Sequence, residues 1–418
     1  MDVITKSYKI RLFPTPEQEQ AMRESVNAAR FVWNWGLAYQ MERFKSGEKH
    51  MGGYDMKKVL TQLKKQDGYK WLNEVSNKTL SMALLDLDNA YQRFFALQKK
   101  GEKFSKQTIE RAKRQGKKLT FYDMHGHPKF KKKAKSKPSF YANYEQFYFV
   151  KGYAVLEKIG RVKYRTDYEL PVVRKKGENT AKFTNPRVSR TNGKWLLTFG
   201  MECENQARKL NDFAVGIDLG VKELAVISYG NGEKSKNFKN INKTKRMRRL
   251  KKRLKHKQRN VSRKICANGN YAKTKRVLKE EAKAQKLCRK LDNIRHNYTH
   301  HVTAEIINLN PKKIAIEDLN VKGMMKNRHL AEAIQGQTWH EFRRQIEYKA
   351  EWAGIEVVLA DRRYPSSKKC SVCGAIKRDL KLKDRVYKCD ACGLVIDRDL
   401  NAARNLELLV TSLKLQVT

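Results

Sequence analysis

No uninterrupted apolar run in these 418 residues approaches the ~20 needed to cross a bilayer. The start, Met1-Asp2-Val3-Ile4-Thr5-Lys6, lacks the apolar core of a signal peptide, and the basic segments carry no terminal anchor. Acid is scarce: 43 Asp and Glu stand against 91 Lys and Arg, a formal net charge of +48. Such an excess repels itself strongly and implies a large polyanionic partner. Cysteine is scarce as well. Cys203, Cys266 and Cys288 are scattered without metal spacing and read as packing residues. With nothing to mark secretion, disulfides are disfavoured. No internal repeat is evident. These absences predict an intracellular protein that binds nucleic acid and not membrane.

The other four cysteines are paired. Cys370-x-x-Cys373 and Cys389-x-x-Cys392 are fifteen residues apart, which is zinc-ribbon spacing. Two tight knuckles present four thiolates, enough to close a tetrahedral structural site for one zinc ion. A glycine follows each second cysteine, Gly374 and Gly393, and frees the backbone to turn toward the metal.

Length allows two or three domains. Tyr8, Ile10 and Leu12 alternate with Lys9 and Arg11, predicting a half-buried strand. Thr15-Pro16-Glu17-Gln18 reads as a capping-box helix start. Leu80, Leu84, Leu87, Tyr91 and Phe94 recur at helical spacing. Residues 99–138 are basic and aperiodic; Lys129, Lys131 and Lys132, with Phe121, Tyr122 and Phe130 interleaved, suit nucleic acid, against the alternative of a solvated loop. From Phe140 the pattern turns to β, with a hairpin at Thr191-Asn192-Gly193-Lys194. A strand before the helical block and strands after it predict a β module carrying a helical insertion.

A second pattern begins at Asn211. Ala214-Val215-Gly216-Ile217-Asp218-Leu219-Gly220 reads as a buried strand, Leu224 to Ser228 as the next, and Asn231-Gly232 as a hairpin turn. Lys243 to Lys264 holds thirteen Lys or Arg and no acid, with a thin apolar stripe of Met247, Leu250 and Leu254. That composition predicts a helix docked by one face, its like charges relieved by phosphates at Arg248, Arg249 and Lys252. Further helices are marked by Leu287, Leu291, Ile294 and Tyr298, and by Trp339, Phe342, Ile346 and Trp352. Lys313–Glu317 and Glu356–Ala360 read as strands.

Asp218 and Glu317 each stand at the end of an apolar β-run, and Asp399 opens a helix-like segment at Asn401-Ala402-Ala403-Arg404-Asn405. A carboxylate at the end of a buried strand is costly unless paired or metal-bound. Singly, each reads as a cap or an ion-pair partner. Jointly, three from distant parts of one α/β sheet can hold two Mg²⁺ ions, with Mn²⁺ as a substitute, for phosphodiester hydrolysis.

Gly216-Ile217-Asp218-Leu219-Gly220, Ile316-Glu317-Asp318-Leu319 and Asp397-Arg398-Asp399-Leu400-Asn401-Ala402-Ala403 resemble the three motifs of a RuvC-like nuclease domain of RNase H type. The zinc ribbon before the third motif narrows the resemblance to TnpB, the endonuclease family of bacterial insertion sequences, whose relatives include compact type V CRISPR effectors. Tyr364-Pro365-Ser366-Ser367, Tyr348-Lys349-Ala350 and Ala29-Arg30-Phe31-Val32-Trp33-Asn34 fit the same family, so the likeness runs from the first strand to Asn405. One departure is the tail: thirteen residues follow Asn405, fewer than in many relatives. The resemblance implies an α/β and β multidomain chain: the first strand of a β-barrel-like wedge at 1–14, a helical recognition domain at 15–135, the remaining wedge at 136–210, RuvC-like motifs I and II at 211–365, a zinc-ribbon insertion that binds target nucleic acid at 366–396, and motif III with a short tail at 397–418. It makes Asp399, not Asp397, the third catalytic acid; Asp318 and Asp361 read as helix-start or surface carboxylates. It implies a monomeric protein in a ribonucleoprotein with a noncoding guide RNA, cutting double-stranded target DNA beside a short flanking motif in the prokaryotic cytoplasm, at the nucleoid. Tyr54, Asn77, Lys78 and Ser81 would read that flank, with helix capping as the alternative. Two rival functions are a guide-dependent DNA-binding regulator that has lost an acid, and a transposase or resolvase that needs no RNA.

Overall fold

In the computed structural model the residues described are 3–101, 103–133, 136–150, 152–166, 170, 183–191, 193–205, 208–267, 274–381 and 384–412. They form two compact units, Val3–Glu204 and Asn205–Thr418.

The first unit opens with β1 (Val3–Phe13), followed by α1 (Pro16–Lys45), α2 (Gly53–Leu63), α3 (Asn77–Lys99) and α4 (Lys106–Arg114). Then come β2 (Ser139–Tyr141), β3 (Tyr148–Val150), β4 (Tyr153–Leu156), β5 (Gly160–Arg165), β6 (Phe183–Thr191) and β7 (Lys194–Glu204). The expected capping box is present at α1: the Thr15 hydroxyl accepts from Gln18 N–H and the Gln18 side chain accepts from Thr15 N–H. β1 pairs antiparallel with β7 on one side and β5 on the other, giving the order β2-β6-β7-β1-β5-β4-β3. The first strand is therefore interior to a sheet completed only after the helices, which makes them an insertion. Leu80, Leu84, Leu87, Tyr91 and Phe94 of α3 are buried with Val32 and Leu37 of α1. Arg190 pairs with Trp195 and Thr191 with Lys194 across the β6–β7 turn; Asn192 itself lies outside the described residues.

Two expectations for residues 99–138 need correction. The stretch contains α4, capped by the Ser105 hydroxyl; Ala112 is its one buried residue among those described, too narrow a stripe to register as periodicity. Tyr122 is not a spare stacking surface, since it packs edge-on against His127 and Phe121; Phe121 meets Phe44, Phe94 and His127 yet stays 40% exposed. Phe130 is half exposed.

In the second unit, β8 (Asn211–Leu219), β9 (Glu223–Tyr229) and β10 (Lys234–Lys239) make an antiparallel meander. Asn231 and Gly232 both have positive φ in the β9–β10 turn, as a tight hairpin requires. α5 (Lys245–Cys266) and α6 (Lys275–Ile307) lead to β11 (Pro311–Glu317). α7 (Val321–Met324), α8 (Arg328–Gln337) and α9 (Trp339–Ala353) lead to β12 (Glu356–Ala360), and β13 (Val386–Lys388) and β14 (Val395–Asp397) precede α10 (Arg398–Ser412). The sheet order is β10-β9-β8-β11-β12, with β11 parallel to both β8 and β12.

The two faces of this sheet differ in side-chain size. Val215, Ile217, Ile314 and Ile316 meet Ile306 of α6 and Phe342 and Ile346 of α9. The opposite face offers Ala214, Ala315 and Ala360 to Leu406 and Val410 of α10. Met247 and Leu250 of α5 are buried against Leu291 of α6, the predicted thin stripe. Cys266 corrects the reading of the scattered cysteines, because it is exposed at the end of α5. Among the described residues, no helix is long and apolar enough to cross a membrane.

Candidate functional site

Ile217 of β8 lies beside Ile316 of β11, so Asp218 and Glu317 follow side by side at the C-terminal ends of neighbouring parallel strands. Side chains alternate along a strand, so Asp218 shares a face with Ala214 and Gly216, and Glu317 with Ala315. α10 covers that face at very close range. A Cβ on Gly216 would lie 2.0 Å from the Ala403 carbonyl oxygen and 2.4 Å from Glu407 N. The first turn of α10 brings Asp399 close enough for its charge to act on both strand carboxylates.

Asp218 is 9% exposed. Burial holds its pKa well above the usual carboxylate range, and the charges of Glu317 and Asp399 push the same way, with Arg398 opposing. Burial raises Glu317 too, against a hydrogen bond donated by the Ser366 hydroxyl. Two buried carboxylates whose ionisation is disfavoured, with the charge of Asp399 acting on both, favour a bound cation. Among the described residues, three or more ligand atoms lie mutually within 4.8 Å only at the four paired cysteines and at His296, His300 and Glu341. The carboxylates are spread more widely, which suits separate cations sharing a ligand better than one enclosed ion. In the His296 cluster, Arg344 and Gln345 already engage Glu341, at 2.7 and 2.8 Å.

The adjacent acids are committed elsewhere. Asp397 Oδ1 accepts from the N–H groups of Asp399 (3.0 Å) and Leu400 (3.2 Å), capping α10. Asp318 is held below the usual range by Arg362 (2.6 Å) and Arg343 (2.7 Å). Asp361 accepts from Arg363 N–H at 2.7 Å.

The two cysteine knuckles have matching geometry. Cys370 N donates to Ala375 O and Gly374 N to Cys370 O, at 2.8 and 3.0 Å; Cys389 N to Leu394 O and Gly393 N to Cys389 O repeat both values. Gly374 and Gly393 both take φ above +70°, where a side chain would be strained. The Sγ atoms of Cys370 and Cys392 are 3.6 Å apart, and those of Cys373 and Cys389 3.5 Å. A tetrahedral metal with ~2.3 Å bonds to sulfur spaces its ligands about 3.8 Å apart, so four thiolates fit one ion here.

Residues without an assigned role in the sequence reading tie the parts together. Asn401 and Asn405, one helical turn apart on α10, donate to Lys369 O at 2.7 and 2.6 Å, and Asn405 also to Ser366 O at 2.7 Å. Asn401 accepts from Ser371 N–H at 3.1 Å. The helix that carries Asp399 thus clamps the loop entering the first knuckle, and that loop carries Ser366 to Glu317. Glu407, buried on the same helix, accepts from the Ser228 hydroxyl at 2.7 Å.

The basic candidates are more dispersed. Arg248, Arg249 and Lys252 lie exposed on α5. Lys129 and Lys132 are exposed, while Lys131 is half-buried with Nζ 3.6 Å from the Trp33 ring centre. Tyr54 is 72% exposed. Asn77 opens α3 and accepts from Lys64 Nζ at 3.1 Å. Lys78 reaches Glu145 at 3.3 Å and lies over the Tyr144 ring, and Ser81 is half-buried one turn on.

A mixed α/β chain with a four-thiol knuckle pair and clustered strand-end carboxylates has matching relatives. Family descriptions matching it are "Probable transposase" over residues 198–328, "Cas12f1-like, TNB domain" over 339–406 and "Helix-turn-helix domain" over 1–49. A "Putative RNA-guided DNA endonuclease" of Streptomyces pristinaespiralis is 30% identical over 408 residues, covering 97% of this chain and 89% of that protein. "Putative RNA-guided DNA endonuclease InsQ" of Escherichia coli (strain K12) is 29% identical, covering 96% and 91%. "CRISPR-associated endodeoxyribonuclease Cas12f1" of Sulfoacidibacillus thermotolerans is 29% identical over about half of each chain, 51% and 50%. The chain belongs to the TnpB family of insertion-sequence proteins.

Proposed function

We propose that this protein is an RNA-guided, Mg²⁺-dependent DNA endonuclease that makes double-strand breaks beside a short flanking motif, using one RuvC-like centre. The observation that carries this reading is the meeting of Asp218, Glu317 and Asp399 at one sheet end. Two Mg²⁺ ions held there would activate water and stabilise the leaving oxygen of an in-line displacement. Asp218, on whose carboxyl the charges of both other acids act, is the ligand suited to sharing. The α10 backbone fixes Asp399, and Ser366 orients Glu317. The basic surfaces, α5 included, neutralise RNA and DNA phosphates. Guide pairing reads sequence, and the protein reads the flank and the duplex shape.

In this reading the first unit is the wedge with its helical recognition insertion, and the second is the nuclease domain with its ribbon. The test is to purify the protein with the RNA transcribed beside its gene and offer a plasmid bearing the matching sequence. Linearisation only with matched RNA and divalent metal is expected. Cleavage without RNA, or RNA-dependent binding without cleavage, would replace this reading with one of the two rivals.

The four-thiol site would hold one structural zinc, supporting the fold without entering the reaction. Cys373→Ser should lower zinc content and melting temperature together, as measured by elemental analysis and calorimetry; purified protein free of any thiophilic metal would contradict it.

The flank would be read near Tyr54 and the start of α3. Replacing Lys78 and Ser81 with Ala should shift which flanking sequences permit cleavage, scored on a library of randomised flanks. A uniform loss with unchanged preference would leave them as structural residues.

A further inference from the structure

His296 and His300 stand one turn apart on α6, and Glu341 lies in the first turn of α9. One ligand atom from each comes within 4.8 Å of the others. Histidines at i and i+4 share a helix face, the spacing at which two imidazoles chelate one metal ion. Their Nε2 atoms are 3.1 Å apart. Bonds of ~2.0–2.1 Å at a tetrahedral metal place two nitrogens about 3.3 Å apart, so the rings need to part by only about 0.2 Å. Glu341 approaches from α9, its Oε1 3.5 Å from His296 Nδ1.

A single N–H···N hydrogen bond would also hold the two nitrogens at this range, with one proton between neutral rings. What surrounds them favours a metal instead. Arg344 donates to both oxygens of Glu341, at 2.7 and 2.8 Å, and Gln345 to Oε1 at 2.8 Å. These three bonds leave one of a carboxylate's roughly four acceptor sites for an ion. Gln345 is fully buried and is itself fixed by the Thr303 hydroxyl, which donates to its side-chain oxygen at 2.9 Å. Ligating carboxylates are held by outer hydrogen bonds of this kind. His296 is exposed, which gives an ion a way in and lets water complete the coordination. Cationic neighbours set the class of ion. Arg344 bonds Glu341, and Lys349 Nζ donates to the His300 carbonyl at 3.0 Å; both oppose an ion held by charge alone. Two imidazoles and one carboxylate suit Zn²⁺, Ni²⁺ or Cu²⁺, whereas Mg²⁺ and Ca²⁺ take shells of oxygen.

We propose that His296, His300 and Glu341 bind one divalent transition-metal ion of this imidazole-preferring class, which ties α6 to α9. Those two helices supply Ile306, Phe342 and Ile346 to the large-residue face of the sheet that carries Asp218 and Glu317. The site shares no residue with the four thiols or the strand-end carboxylates, and its occupancy does not depend on the nuclease reading.

The experiment uses the full chain without an affinity tag, at about pH 7.5, where ordinary imidazoles are neutral. Metal already held is counted first by elemental analysis, and Ni²⁺ is then titrated calorimetrically into the parent, His296→Gln and His300→Gln. The parent should take up one more Ni²⁺ per chain than either variant. Glu341→Gln should weaken that uptake about tenfold or more. Saturating Ni²⁺ should raise the parent's melting temperature by a few degrees and leave those of both histidine variants unchanged. Mg²⁺ at the same concentration should produce no shift that depends on the histidines. A Co²⁺ spectrum of the parent supplies a check that needs no variant: the additional ion should show visible d–d bands without thiolate charge transfer. Equal uptake by parent and histidine variants, a histidine-dependent response to Mg²⁺, or an additional Co²⁺ ligated by sulfur would each overturn the proposal and leave a plain hydrogen bond between the two rings.

Discussion

Asp218→Asn should abolish cleavage of both strands of a matched plasmid together, by about 10⁴-fold or more, while RNA retention and target binding stay near those of the parent. Asn keeps the size of Asp but removes the charge central to the cluster. Because burial, and then the charges of Glu317 and Asp399, raise the proton affinity of Asp218, the same change should stabilise the metal-free fold. In chelator, its melting temperature should rise by a few degrees, on the order of 1 kcal/mol. Loss of activity with gain of stability separates a site defect from misfolding. Removing all three acids should cost little more than removing Asp218, since they act as one unit. Persistent nicking of either strand by Asp218→Asn would sink the single-centre mechanism.

What the sequence made legible was local. The Thr15 box, the apolar face of α3 and the thin stripe of α5 are periodic within one element, and each appears where its pattern predicts. Asp218 and Glu317 stood out because a carboxylate ending an apolar strand is unusual. Less legible was whatever joins distant segments. β1 lies between β7 and β5, a placement that no local pattern encodes. The alternation of Ala214, Val215, Gly216 and Ile217 is small then large, but a buried strand reads as continuously apolar unless the second packing partner is known. Ser366, Asn401 and Asn405 are ordinary polar residues in sequence, and only their partners reveal them as supports. α4 escaped because a helix with one buried residue has no face to detect.

Gly216 is where that hidden packing is most exposed to test. Gly216→Ala should destabilise the nuclease-bearing unit by about 3 kcal/mol or more, a fall of about 6–12 °C in melting temperature. The reason is that the new Cβ meets the Ala403 oxygen and the Glu407 nitrogen, both backbone atoms of α10 that no rotamer change can move. Relief requires the helix to lift from the sheet, and Asp399 on its first turn then leaves Asp218 and Glu317. A displacement of 1 Å at a reacting centre costs about 10²-fold in rate, so cleavage should fall at least that far even at temperatures where the variant remains folded. Gly68→Ala is the control: nothing lies within 4 Å of its Cβ, and its stability should stay within about 0.5 kcal/mol of the parent. Calorimetry on both variants, with cleavage measured well below each melting temperature, decides the matter. If Gly216→Ala melts and cuts like the parent, α10 does not lie against β8 at the range that brings the three carboxylates together.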